Sequence, residues 1–436
     1  MTRSAVAGRN PCRPEAKSFF EKFILLVTED CGEARRHVTM RIGFLFNHDQ
    51  IHQIAHSLPI AMALADGGFE GEIVVATTNA ALTREVMRIG GDRIGTRIEH
   101  VQLEPCAATR RLDRLLGKVI PAQKILIYRD NLDFFRKLDV LVVAEKTSLL
   151  LKTRYGLRDL AIIHTRHGAG DRAIGFDKAS AGFDHVLCSG PKIRDRLIRE
   201  AQVSPEAITI VGYPKFDLAR DKTPHRFMPD MQQTVIYNPH PSPHLSSWYK
   251  HGHRVFEHFM DNDRLGLIFA PHVMLFQRSF VVTIDKLTID RAGEIPQRFL
   301  RGDNIHVDLG SRASTDMTYT LGADVYLGDA SSQVYEFLLR PRPCIFLNSQ
   351  QHDWTGDPNF HHWRAGEVIV SPDQLSAALS RAEDLHETHY RRIQEEMFAE
   401  SFDLTNTPSS VRAAMAIVDF THGRERSRRH LHLVSA

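Results

Sequence analysis

The chain has 436 residues, 42% of them apolar and 25% charged, with a net charge of +2 at neutral pH. That length admits two domains of ordinary size, and so small a charge argues against nucleic-acid binding driven by a basic surface. Five cysteines (Cys12, Cys31, Cys106, Cys188 and Cys344) are odd in number and lack CxxC spacing, so they read as cytosolic thiols rather than a disulfide framework or zinc site.

No apolar run reaches the roughly 18 residues that a membrane-spanning helix needs. FFEKFILLV (Phe19–Val27) is short and broken by charge, with no small-residue cleavage site nearby, so no secretory leader is expected. Residues 1–39 form an extension to which no function is assigned.

From Met40 onward strands and helices alternate. RIGFLF (41–46) reads as a strand, HQIAHSLPIAMALADGG as a helix closed by Gly67 and Gly68, and EIVVATT as a second strand. Helical patterns surround IEHVQL. VLVVAEKTS (140–148), AIIHTR (161–166), HVLCSG (185–190) and ITIVGYP (208–214) follow as short continuous apolar runs. Such runs, separated by helices, imply parallel strands covered on both faces. This first domain, 40–222, ends in the Pro- and charge-rich LARDKTPHRFMPD.

The pattern then restarts over 223–400 with TVIYNPH (234–240), LGLIFAPH (265–272), IHVDLG (305–310), DVYLGD (324–329), PCIFLN (343–348) and GEVIV (366–370). Helices are expected from about Ser371, and 401–436 reads as a C-terminal helix and basic tail. The fold class is therefore α/β: two Rossmann-like, doubly wound domains facing a cleft, which is the natural ligand site. RERSRRHLH near the C-terminus reads as a solvated end, with peripheral contact to anionic lipid as the alternative.

The residues that suggest chemistry sit just past strand ends, where open α/β sheets bind ligands. TRHGAGDR (Thr165–Arg172) offers His167 in a glycine-bearing loop, a group suited to take a proton from a hydroxyl, followed by an Asp-Arg pair. GYPKFD (Gly212–Asp217) is a sharp turn that directs Lys215 and Asp217 toward the space between the domains. YNPHPSPH (Tyr237–His244) and FAPHVMLF (Phe269–Phe276) each run strand, proline, histidine, which places Asn238, His240 and His272 as phosphate contacts. With no HxH or HExxH pairing, phosphate is favoured over metal, and no metal or cofactor is expected. In GDASSQVYEF (Gly328–Phe337), Ser331 and Ser332 are expected to cap a helix while donating to a phosphate. Glu336 is expected to face the same ligand and accept from two adjacent hydroxyls, as on a ribose.

The order His-Gly, GYPxxD, a proline turn and D-x-S-S-x-x-x-[DE]-F before RPxxF resembles the CDP-glycerol glycerophosphotransferases. These are teichoic-acid and capsule polymerases and primases of the GT-B fold, and the resemblance covers roughly residues 160–350. It implies that His167 is the base for the acceptor hydroxyl and that Asp217 is the acidic end of the family's turn. It also implies that Ser331 and Ser332 hold the donor's phosphates, that Glu336 lies against the cytidine ribose and that His272 steadies the diphosphate. The chain departs from the family at Ala169–Arg172, where Thr-Pro is usual, and at NPHPSPHLSSW, which replaces an arginine-bearing turn and leaves the phosphate contact to His240 or His244.

The expected activity is transfer of glycerol phosphate, or a related alditol or glycosyl phosphate, from a CDP-activated donor to a hydroxyl of a cell-envelope glycan or lipid-linked acceptor. The expected place is the cytoplasm or, peripherally, the inner face of the membrane. The alternatives are a GT-B sugar-nucleotide glycosyltransferase or UDP-N-acetylglucosamine 2-epimerase-like enzyme, and a non-catalytic nucleotide-binding module.

Overall fold

A computed structural model describes residues 39–47, 51–116, 122–166, 170–220, 222–277, 281–283 and 288–434. Seven strands build the first sheet: β1 (Arg41–Phe46), β2 (Glu72–Thr77), β3 (Glu99–Gln102), β4 (Val140–Val143), β5 (Ala161–His164), β6 (His185–Cys188) and β7 (Ile208–Ile210). They pair in parallel in the order β3-β2-β1-β4-β5-β6-β7. The second sheet contains β8 (Gln233–Asn238) and β9 (Leu265–Phe269). After a small antiparallel pair, β10 (Val281–Thr283) and β11 (Thr288–Asp290), it continues with β12 (Ile305–Val307), β13 (Val325–Gly328), β14 (Cys344–Leu347) and β15 (Glu367–Ile369). Its order is β12-β9-β8-β13-β14-β15, again all parallel.

Both sheets are doubly wound, and the cause is visible in the side chains. In β1, Ile42, Phe44 and Phe46 pack on one face against Leu58, Ile60 and Leu64, while Leu45 packs on the other against Leu141 and Val143. A strand buried on both faces has no polar alternation to show, which is why these segments read as continuous apolar runs. The strand order reverses between β1 and β4 in the first sheet and between β8 and β13 in the second. Loops leaving the carboxyl ends of these pairs diverge and open a crevice.

The C-terminal helix Ser409–Val434 returns to the first domain. Its Ala413, Ala414, Ile417 and Val418 join the β1 core, far from the second sheet that precedes it in sequence. Gly212 makes this crossing possible. It has φ +81°, and a Cβ there would fall 2.3 Å from Ser409 Oγ. Among the described residues no helix is long and apolar enough to cross a membrane.

Candidate functional site

The second sheet's switch point brings two predicted motifs together. The turn after β13 and the loop after β8 are tied by Asp329, which is fully buried. Its carboxylate accepts from the His240 backbone N–H at 2.8 Å, from Ser247 N–H at 2.6 Å and hydroxyl at 2.8 Å, and from its neighbour Ala330 N–H at 2.7 Å. Burial lifts the Asp329 carboxyl to about 6 in spite of these donors. Ser331 is buried and Ser332 exposed at the mouth of the same turn.

The helix that follows spans only Val334–Phe337, with Gln333 at its N-cap and no side-chain cap. The expected capping by Ser331 and Ser332 is therefore corrected: Ser331 Oγ accepts only a long 3.4 Å bond from Gln333 N–H. One turn of helix aligns too few peptide dipoles to hold an anion by itself, so any anion at this turn depends on side chains and individual N–H groups.

His240 and His272 end β8 and β9 side by side, with ring centroids 6.2 Å apart. In each ring Nδ1 accepts a backbone N–H two residues on, from Ser242 at 3.0 Å and Met274 at 3.3 Å. That leaves Nε2–H as the donor. Burial lowers His240 to about 3, helped by the charges of His272, Arg172 and His362, and burial lowers His272 to about 4. Both are neutral donors at pH 7. His244 is half-buried, and its carbonyl accepts from His352 at 3.1 Å. The first domain adds a ring that the sequence did not single out: His52, in the segment Ile51–His56 after β1, lies 6.4 Å from His272.

Lys215 and Asp217, adjacent to one another in the GYPKFD turn, go to different places. Lys215 Nζ donates to Glu336 Oε1 at 2.5 Å across the domain boundary, and both side chains are buried. Glu336 Oε2 is buried and has no hydrogen-bond partner. Asp217 instead accepts the Ser409 and Ser410 N–H groups at 3.1 and 2.6 Å. It caps the C-terminal helix, which corrects its expected catalytic placement: a carboxylate at an orphaned helix start satisfies backbone donors and the dipole. The expectation for Asn238 is corrected likewise. Its fully buried amide donates to Ala270 carbonyl at 2.5 Å and accepts from Tyr326 hydroxyl at 3.3 Å, locking the ends of three strands instead of meeting a ligand.

His167 lies outside the described residues, which resume at Gly170. Gly170 lies against Ser332, so close that a Cβ on Gly170 would sit 3.0 Å from Ser332 Cβ. Asp171, 2% exposed, accepts from Lys192 Nζ at 2.8 Å and Tyr335 hydroxyl at 2.7 Å, and faces His362 Nδ1 at 3.1 Å. Its carbonyl accepts from Arg196 at 2.5 Å. Burial would raise the Asp171 carboxyl, but the His362 bond and the Lys192 cation hold it well below the usual carboxylate range. His362 Nε2 in turn faces the Asp329 carbonyl at 3.0 Å, which also accepts from Trp363 Nε1. A short chain of bonds therefore runs from the first domain's glycine loop, through Asp171 and His362, to the second domain's serine turn. Asp171 and Asp329 stand within motifs whose spacing assigns them no role, and Lys192, Tyr335 and His362 carry no local sequence signal.

No group of three His, Cys, Asp or Glu suited to hold a metal occurs among the described residues. No protein-family model and no curated protein matches the chain. Solved structures do match. A structure of the wall teichoic acid polymerase TagF is 12% identical with a TM-score of 0.56 and covers 90% of both chains. The UDP-GlcNAc 2-epimerase of Neisseria meningitidis bound to UDP-GlcNAc is 12% identical with a TM-score of 0.55, covering 88% of this chain and all of its own. A putative UDP-N-acetylglucosamine 2-epimerase from Listeria monocytogenes is 14% identical with a TM-score of 0.53, covering 89% and 98%. The chain has the GT-B fold. Its two Rossmann-like domains face one another across the crevice into which both switch points open.

Proposed function

We propose that this GT-B chain is a transferase that takes a nucleotide-diphosphate donor, of the CDP-glycerol kind, and passes its glycerol phosphate to an acceptor hydroxyl. The observation that carries the reading is Glu336, whose Oε2 is buried and unpartnered one turn beyond the serine pair while Oε1 is held by Lys215. A buried carboxylate oxygen without a donor is costly, and the paired hydroxyls of a ribose would supply one. Ser331, Ser332, His240 and His272 are the donors for the diphosphate. Fixed neutral and hydroxyl donors stabilise charge that develops during phosphoryl transfer.

In this mechanism the acceptor oxygen bonds to the β-phosphorus, the bond from that phosphorus to the bridging oxygen breaks, and CMP leaves with that oxygen. His167 receives the acceptor's proton. The acceptor is a hydroxyl of an envelope glycan or lipid-linked chain, met at the cytoplasmic side of the membrane. Support also comes from likeness to TagF, which has been solved after a CDPG soak (TM-score 0.54).

A second reading is favoured by the equal likeness to UDP-GlcNAc 2-epimerases (TM-score 0.55). In it a uridine sugar nucleotide occupies the same turn. Thermal melting with CMP, CDP, CDP-glycerol, UMP, UDP and UDP-N-acetylglucosamine separates the two. A ligand at 100 times its dissociation constant adds about 2.7 kcal/mol. Stabilisation by cytidine nucleotides is the expected result, and a uridine preference overturns the CDP-glycerol reading. His167→Ala should then abolish transfer while nucleotide binding persists; retained turnover would remove it from the base role.

A further inference from the structure

We propose that Arg172 is the cation that binds the donor's phosphates, carried from the first domain to the second domain's serine turn by the buried anchor Asp171. The proposal rests on the nucleotide-donor reading above and adds to it a residue from a stretch with no counterpart in the family resemblance.

The first step is charge. A diphosphate brings at least two negative charges into a partly dry crevice, and such charges are held by cations or dense hydrogen bonding. Two lysines near the serine turn are already committed. Lys192 donates to Asp171 and to Tyr335 hydroxyl, and Lys215 donates to Glu336. His240 and His272 are neutral at pH 7.

Arg172 differs from all of these. Its backbone carbonyl accepts Gly175 N–H at 3.0 Å, but its half-buried side chain makes no hydrogen bond or ion pair among the described residues, and its Nη1 is shut off from water. Leaving a charged donor buried and unbonded costs more than leaving it in solvent, so a solvated surface arginine does not account for it. Its charge reaches His240, where it is one of the groups that disfavour protonation. The acidic group it senses is Asp357, whose Oδ1 already accepts Asn359 N–H and side-chain amide.

The second step is placement. Gly170 lies against Ser332 and Asp171 is bonded to Tyr335 and His362, and Arg172 follows directly in extended backbone at φ −67°, ψ 134°. Asp171 is thus a positioning residue that fixes the backbone from which Arg172 reaches. A planar guanidinium suits two phosphate oxygens at once, where an ammonium acts as a point charge. Because Arg172 and the serines come from different domains, a diphosphate held by both links the two halves of the crevice.

The test compares wild type, Arg172→Met and Arg172→Lys as full chains by isothermal titration with CDP, inorganic pyrophosphate and cytidine. Arg172→Met should weaken CDP and pyrophosphate by about 10- to 100-fold, the range for a charged hydrogen bond, and leave cytidine unchanged. Arg172→Lys should recover part of the loss. The unliganded melting temperature should not fall in either variant, because the Arg172 side chain makes no bond among the described residues. Equal CDP affinity in wild type and both variants overturns Arg172's role while the nucleotide reading stands. Wild type that binds none of these probes, nor UDP, overturns that reading and Arg172's role with it.

Discussion

The Lys215–Glu336 pair gives the sharpest test of how the crevice is held together. The two residues are 121 positions apart and meet at 2.5 Å, with side chains 5% and 9% exposed. Replacing Lys215 by Met leaves a carboxylate buried with neither oxygen partnered, and removing one member of a buried pair costs about 3–5 kcal/mol. Glu336→Leu strands the lysine at a similar cost. The double variant leaves no buried charge and fills the site with carbon, so it should lie within roughly 2 kcal/mol of wild type. The coupling is then at least about 3 kcal/mol, far above the roughly 0.5 kcal/mol within which independent sites add. Urea unfolding of the four proteins without ligand measures it, followed by tryptophan fluorescence and circular dichroism. All three tryptophans, Trp248, Trp354 and Trp363, lie in the second half of the chain, so the two probes also report whether the domains unfold together. Single variants that each cost under about 1 kcal/mol, and that add in the double, would refute the claim that this contact joins the domains.

Three further outcomes follow from the same geometry. Asp217→Ala removes the acceptor for Ser409 and Ser410 N–H and should cost about 1–2 kcal/mol, as lost helix caps do, with CDP affinity unchanged by titration. His240 and His272 take up protons near pH 6.5 when unfolded but only near 3 and 4 when folded, because burial disfavours the cation. Their contribution is therefore complete above pH 6.5 and lost as pH falls, by about 2 kcal/mol each at pH 5. His240→Gln should flatten the melting temperature between pH 7 and 5. Asp171→Asn, which weakens bonds from Lys192, Tyr335 and His362 at once, should destabilise the chain more than Tyr335→Phe, which removes one bond worth about 1 kcal/mol; denaturant midpoints rank them.

The two-sheet architecture was legible because VLVV, AIIH and HVLC leave no polar face, and only a strand covered on both sides accommodates that. β3 did not stand out as a strand: Glu99–Gln102 sits at a sheet edge and is half exposed, so it carries no apolar run. The pairing of β10 with β11 went unread because three-residue strands leave too short a pattern. The return of the C-terminal helix was invisible for another reason. Ala413, Ala414 and Ile417 mark one apolar helix face, but nothing local says that β1 lies beneath it. The site divides in the same way. Prolines and glycines after strands announced the loops holding His240, His272, Ser331 and Ser332, because those residues shape turns locally. The partners of Asp171 at residue 362 and of Lys215 at residue 336 depend on how two domains meet, and no sequence spacing encodes that.

That division bears on the stretch where the chain leaves the family pattern. From sequence, Ala169–Arg172 suggested either an altered donor or a lost active site. A segment freed from function accumulates changes that leave its side chains in solvent, because burying a carboxylate has a desolvation cost of several kcal/mol. Asp171 is instead buried with bonds to Lys192, Tyr335 and a backbone-linked histidine, and those partners come from both domains. Its neighbour Arg172 keeps a guanidinium nitrogen dry and without a partner among the described residues, and its charge reaches the neutral His240. One residue here satisfies every oxygen it has, and the next leaves a buried donor without a partner among the described residues. That pairing of a rigid anchor with an open donor is what a ligand-binding loop requires, and it favours an altered phosphate site over an abandoned one.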